Sequence, residues 1–162
     1  MYFWRVQNYK QYNVREVIER IQSFCAIQDR SQFEVKNKMK SWGVEEYIID
    51  NILSDLITEK FIDDHRFAIS FCRGKFRIKK WGKIKIINEL KKKNILHIYI
   101  SKGIQEINDT EYMQELNIQF QKKKNNINEK NEFIKNKKIA SYLINKGYES
   151  NFVWDKIRQL KQ

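Results

Sequence analysis

The sequence predicts an all-α protein of three tandem three-helix repeats stacked into an elongated, curved body. Three observations carry that prediction. Apolar residues recur at helical steps along most of the chain, one apolar pattern returns twice at nearly constant offset, and the 162 residues hold no Pro and only 5 Gly. Scarce Pro and Gly leave little provision for kinks or left-handed turns, which favours helices with short connections. The abundance of Ile, Lys and Asn is equally compatible with an AT-rich genome, so composition alone decides little.

The repeat is the strongest organising signal. Val35, Met39, Gly43, Val44, Ile49, Leu53 and Leu56 reappear 51 residues on as Ile86, Leu90, Asn94, Ile95, Ile100, Ile104 and Ile107. They return 53 residues further as Ile139, Leu143, Gly147, Tyr148, Val153, Ile157 and Leu160. Each copy reads as a helix, a tight turn and a helix, because the apolar steps are three to five residues. Gly43 and Gly147 stand just past a helix end, where a left-handed residue closes the turn, and Asn94 is the next-best residue there. Upstream of each pair, 14–28, 63–78 and 109 to about 123 are amphipathic and supply a third helix. The expected organisation is a tail over 1–12, then repeats over 13–60, 61–108 and 109–162. The Lys- and Asn-rich segment 121–138 is read as helix ends around a flexible middle. Each repeat has few apolar positions of its own, so one cooperative body with a shared core is expected.

Hydrophobic residues make up 41% and charged residues 32%, a globular balance rather than that of a disordered chain. Cys25 and Cys72 lie far apart among apolar residues and read as free core thiols of a reducing cytoplasm. The first dozen residues include Arg5 and Lys10 and lack the apolar run of a signal peptide, and no later run approaches a membrane span. A cytoplasmic protein that meets no membrane is expected.

The net charge is +12, and it is concentrated. Residues 73–93 hold ten Lys/Arg against one Asp/Glu, net +9, while residues 1–72 are net −1 and 94–162 net +4. Around the block, Arg66, Arg73, Arg77 and Lys80 follow steps of seven, four and three, which aligns them on one face if the helix continues to Lys80. In the next helix Lys85 and Lys92 share a polar face with Asn88, and Ile86, Ile87 and Leu90 face inward. Lys75 and Lys83 complete the set of candidate binding residues. A run of charge on a helix is often only a solvated face, but ten cations to one anion make a field that nothing nearby in sequence neutralises. A polyanionic partner is the natural compensator.

Other chemistry finds less support. Asp63, Asp64 and His65 invite a metal or nuclease reading, yet carboxylates at a helix start accept backbone N–H groups and favour the helix dipole. His97 has no ligand at metal spacing, neither Gly43 nor Gly82 opens a phosphate loop, and no nucleophile, base and orienting group assemble from local spacing. No enzyme activity, cofactor or metal is expected. Trp42, Trp81 and Trp154 fall near helix ends as packing residues, with base stacking by Trp81 as the alternative.

These residues also carry a resemblance. FIDDHRFAISFCRGKFRIKKWGKIKIINELKKKNI, residues 61–95, resembles the signature region of the RecX family, an Asp-Asp-x-Arg-Phe-Ala start leading to an Arg-rich helix, a Gly-containing turn and a Lys-rich helix. DRSQFEVKNKMKSWGV (29–44) and KIASYLINKGYESNFVWDKI (138–157) are similar to the first and third repeats of that family. Asn94 departs from the usual turn Gly, and Lys83 follows Trp81-Gly82 where Pro is common.

The resemblance implies three tandem three-helix repeats and a regulator, specifically an inhibitor, of the RecA recombinase. Such a protein lies in the groove of the RecA–single-stranded DNA filament, damps ATP hydrolysis and strand exchange, and acts in homologous recombination, DNA repair and the SOS response. Arg66, Arg73 and Arg77 stand at the family's basic-helix positions. The partners expected are the RecA filament and single-stranded DNA without sequence preference, met by a monomer. Two further readings of the residues stay open: a free-standing helical DNA-binding protein, and a protein-interaction scaffold with a basic face.

Overall fold

The computed structural model describes residues 13–159, and among these the chain forms nine helices and no strand. They are α1 (Val14–Ile27), α2 (Gln32–Ser41), α3 (Glu46–Thr58), α4 (Asp64–Arg77), α5 (Lys83–Lys92), α6 (His97–Gln105), α7 (Asp109–Asn125), α8 (Glu132–Asn145) and α9 (Ser150–Arg158). The tail over 1–12 and the repeat position Leu160 lie outside the described residues.

Local chemistry sets the helix ends. Asn13, Asn108 and Asn131 cap α1, α7 and α8 by accepting the N–H groups of Arg15, Glu111, and Phe133 with Ile134. Ser31 and Glu34 form a reciprocal capping box on α2, at 3.2 and 3.3 Å. The repeat turn closes the same way three times. Val44 N–H donates to the Met39 carbonyl at 3.2 Å, Ile95 to Leu90 at 3.2 Å, and Tyr148 to Leu143 at 3.1 Å. Gly43, Asn94 and Gly147 sit one residue before each closing donor with φ of 77°, 57° and 96°. This six-to-one closure satisfies an orphan carbonyl and requires a left-handed residue at that step.

The chain divides into two compact units, one ending at Asp63 and one beginning at Asp64. In the first, α1, α2 and α3 pack on one another around Val17, Ile21, Val35, Met39, Ile49 and Leu56. In the second, α4–α6 and α7–α9 bury a single cluster that includes Phe67, Ile86, Leu90, Tyr112, Leu143 and Tyr148. The expected core shared by all three repeats is therefore divided, because the apolar residues of α1–α3 close on one another while those of α4–α9 interleave. Rings stitch the second unit together: Phe76 to Tyr112 at 5.8 Å and Tyr112 to Tyr148 at 5.3 Å between centroids.

The segment 121–138 holds the end of one helix and the start of the next, as expected. Helix α7 runs to Asn125 and α8 starts at Glu132, so only a short connection remains. Its Ile127 packs against the core, and Glu129 pairs with Lys138 at 2.9 Å.

Candidate nucleic-acid interface

Helix α4 ends at Arg77, and Lys80 lies beyond it with φ of 57°. The continuous face expected from Arg66 to Lys80 is thus cut short, since a residue in the left-handed region cannot extend a right-handed helix. Up to Arg77 the helical spacing holds. At about 100° per residue, Arg66, Arg73 and Arg77 fall within roughly 40° of one another, and all three are exposed. Arg73 pairs with Glu106 of α6. Arg77 has no ion-pair partner among the described residues.

Lys75 sits on the other side of α4, about 180° from Arg66 by the same geometry. It is half-buried, with Nζ 5.0 Å from the Phe71 ring and 5.1 Å from the Trp81 ring. Lys85 approaches the same Trp81 ring at 4.7 Å. Cations near aromatic faces are stabilised by the ring quadrupole, so Trp81 holds ammonium groups and packs against the core.

The eight candidate residues therefore form no single patch. The arginine stripe faces outward from α4, and Lys75, Lys80 and Lys85 gather around the α4–α5 turn on the other side. Lys83, only 19% exposed, pairs with Asp109 at 2.7 Å and lies 4.8 Å from the Tyr112 ring. Lys92 pairs with Glu89 one turn back at 2.6 Å.

The field of residues 73–93 is also partly neutralised, contrary to the linear reading. Glu106, Glu115, Asp109 and Glu89 meet Arg73, Lys80, Lys83 and Lys92, and three of those four carboxylates come from beyond residue 93. Hydrogen bonding to Lys83 holds the Asp109 carboxyl below its ordinary value, and Lys92 does the same for Glu89.

Sequence reasoning missed the partners that position this turn. Gly82 N–H donates to the Lys146 carbonyl at 2.8 Å and Ile84 N–H to the Gly147 carbonyl at 3.0 Å. The Tyr148 hydroxyl donates to the Lys80 carbonyl at 3.2 Å. Lys83 N–H donates to the Tyr112 hydroxyl oxygen at 3.1 Å, and that hydroxyl donates to Glu149. Burial first, and then the Glu149 bond, push the Tyr112 hydroxyl far above its ordinary value. No local spacing announces contacts 29 to 68 residues apart.

Asp64 is the first residue of α4, and His65 lies against Tyr99 with ring centroids 5.5 Å apart. Among the described residues no group of three His, Cys, Asp or Glu side chains is placed to hold a metal ion, and no helix is long and apolar enough to cross a membrane. Cys25 and Cys72 are free and buried. Burial raises both thiols, that of Cys72 to about 12.

Comparison with known proteins places this geometry. Residues 63–96, which contain α4, its following turn and α5, match the family model for the second three-helix domain of RecX. Over this segment the chain is similar to RecX. It is 26% identical over 140 residues to the regulatory protein RecX of Bacillus thuringiensis (strain Al Hakam), and equally to that of Bacillus anthracis (strain A0248). The match covers 86% of this chain and 52% of each relative, so the chain spans about half the length of the curated relatives it matches. The fold is similar to the crystal structure of RecX from Lactobacillus salivarius, with a TM-score of 0.75 and 23% identity over 90% of this chain and 94% of that one. A second crystal structure, of regulatory protein RecX, superposes with a TM-score of 0.80 at 21% identity, over 90% of this chain and 71% of the other.

Proposed function

We propose that this chain regulates the RecA recombinase by binding the RecA–single-stranded DNA filament as a monomer in the cytoplasm, damping ATP hydrolysis and strand exchange without chemistry of its own. The observation that carries the reading is the outward stripe of Arg66, Arg73 and Arg77 on α4, inside the segment that matches the family. A stripe of guanidinium groups at helical spacing suits a repeating anionic surface, since each presents a planar fork of donors to phosphate or carboxylate. Backbone contacts of this kind give affinity without sequence preference and weaken steeply with salt.

The test is ATP hydrolysis by a preformed RecA–single-stranded DNA filament, with the intact protein and with an R66E/R73E/R77E variant whose fold is checked by circular dichroism. Inhibition by the intact protein and its loss in the variant are expected. Unaltered inhibition removes the stripe from the mechanism. Discrimination among duplex sequences by more than about 4 kcal/mol, the lower end for specific regulators, favours a free-standing DNA-binding protein instead. Salt-independent association with a protein alone favours the scaffold.

A further inference from the structure

The α4–α5 turn and the α8–α9 turn meet backbone to backbone. A Cβ added at Gly82 would lie 2.1 Å from the Gly147 carbonyl carbon, and one at Gly147 would lie 2.3 Å from Lys85 Cβ. Only two glycines permit this approach, and its product is a cluster of lysines from four separate segments. Lys80 and Lys85 come from the first turn and α5, Lys146 from the end of α8, and Lys122 from the last turns of α7.

One carboxylate stands among them. Glu115, with its side chain 12% exposed, pairs with Lys80 at 3.1 Å and accepts from Gln119 Nε2 at 2.7 Å. Lys123 and Lys146 approach the Tyr142 ring at 5.0 and 5.6 Å, as Lys75 and Lys85 approach Trp81. Burial, and then the like charges of Lys122, Lys85 and Lys80, hold the Lys146 ammonium below its ordinary value, with Glu115 opposing. Lys80, Lys85 and Lys122 thus act on Lys146 through one shared field, in which Glu115 is the carboxylate and pairs with Lys80.

We propose that Lys80, Lys85, Lys122 and Lys146 form a second anion site at this junction, one that takes a backbone phosphate of nucleic acid. The proposal rests on the filament reading for its partner, but on the junction's own geometry for its location. Two features select the ligand. All four cations are lysines, which meet phosphate oxygens as point charges. The aromatic faces beside them already carry ammonium groups, so the site offers charge rather than a stacking platform for bases.

The test is fluorescence anisotropy of a labelled oligo-dT strand with the full chain across a salt series, comparing the natural protein with K122Q/K146Q. Loss of this one phosphate contact is expected to flatten the log–log salt slope by about 0.7, the value per contact on single strands. The variant's urea midpoint is expected to be no lower than that of the natural protein, because the substitutions relieve like-charge repulsion. A natural protein that binds oligo-dT with a slope unchanged in the variant overturns the junction site and leaves the filament reading standing. Weaker binding of the variant to the RecA filament with an unchanged oligo-dT slope assigns the lysines to an acidic protein surface, and so overturns phosphate as the ligand. If the natural protein binds neither oligo-dT nor filament, the filament reading fails. Inorganic pyrophosphate then decides the junction separately: shifts of the Gly82 and Gly147 amide NMR signals that vanish in the variant retain an anion site but overturn nucleic acid as its occupant, and no shifts overturn the site itself.

Discussion

Replacing Gly82 by Ala isolates the close approach of the two turns. Gly82 has φ −74° and ψ 161°, a conformation any residue adopts, so Ala introduces no backbone strain of its own. The added Cβ would lie 2.1 Å from the Gly147 carbonyl carbon, 2.2 Å from its oxygen and 2.2 Å from Tyr148 N. Ordinary carbon contacts begin near about 3.5 Å, so the turns must part by more than about 1 Å. The bonds from Gly82 N–H to Lys146 and from Ile84 N–H to Gly147, now 2.8 and 3.0 Å, then leave hydrogen-bonding range.

Two lost bonds at about 1 kcal/mol each and overpacking of roughly 1–3 kcal/mol outweigh the ~0.7 kcal/mol that Ala gains by restricting the unfolded chain. The net loss is about 2–4 kcal/mol. In a unit of about a hundred residues each kcal/mol lowers Tm by about 4–8 °C, so a fall of at least about 8 °C is expected. Urea unfolding followed by circular dichroism measures the loss, and hydrogen exchange locates it at the amides of residue 82 and Ile84. A change below about 1 kcal/mol would refute the claim that these backbones are in contact.

Tyr112→Phe strips the partner from Lys83 N–H and from Glu149, and unfolding experiments should find about 1–3 kcal/mol lost, the cost of leaving buried polar groups unmade. Lys146→Gln should raise the urea midpoint at neutral pH. A base held below its ordinary value destabilises the fold at every pH below its folded value, and that cost disappears as pH rises through its ordinary 10.5, so the gain over the natural protein should vanish above that pH. Glu46, Glu89, Asp109 and Glu129 are all held below their ordinary values of 4.5, 4.5, 3.8 and 4.5 by hydrogen bonds to lysines. Their contribution is fully present above those values and is lost as pH falls through the lower folded ones, so an acid titration of stability should be level from about pH 5 to 7 and decline below. A decline that begins above pH 6 would point to other groups.

Most of the helical architecture was legible in the sequence, because amphipathic spacing and end signals act over a few residues. Asn13, Ser31, Asn108 and Asn131 start helices where short polar side chains reach the next turn's N–H groups, and Gly43, Asn94 and Gly147 close the repeat turns with the same bond. The exposure of Arg66, Arg73 and Arg77 on one side of α4 follows from the same periodicity. Three matters were decided only in three dimensions. Lys80 left the helix for a left-handed turn, the apolar residues closed into two cores rather than one, and distant carboxylates came to meet the basic block. Periodicity tells each helix which side to bury but not which neighbour will cover it. Charge pairing and the junction of Gly82 with Gly147 depend on that choice of neighbour, which is why α7 and α8 supply the residues that one-dimensional reading left out.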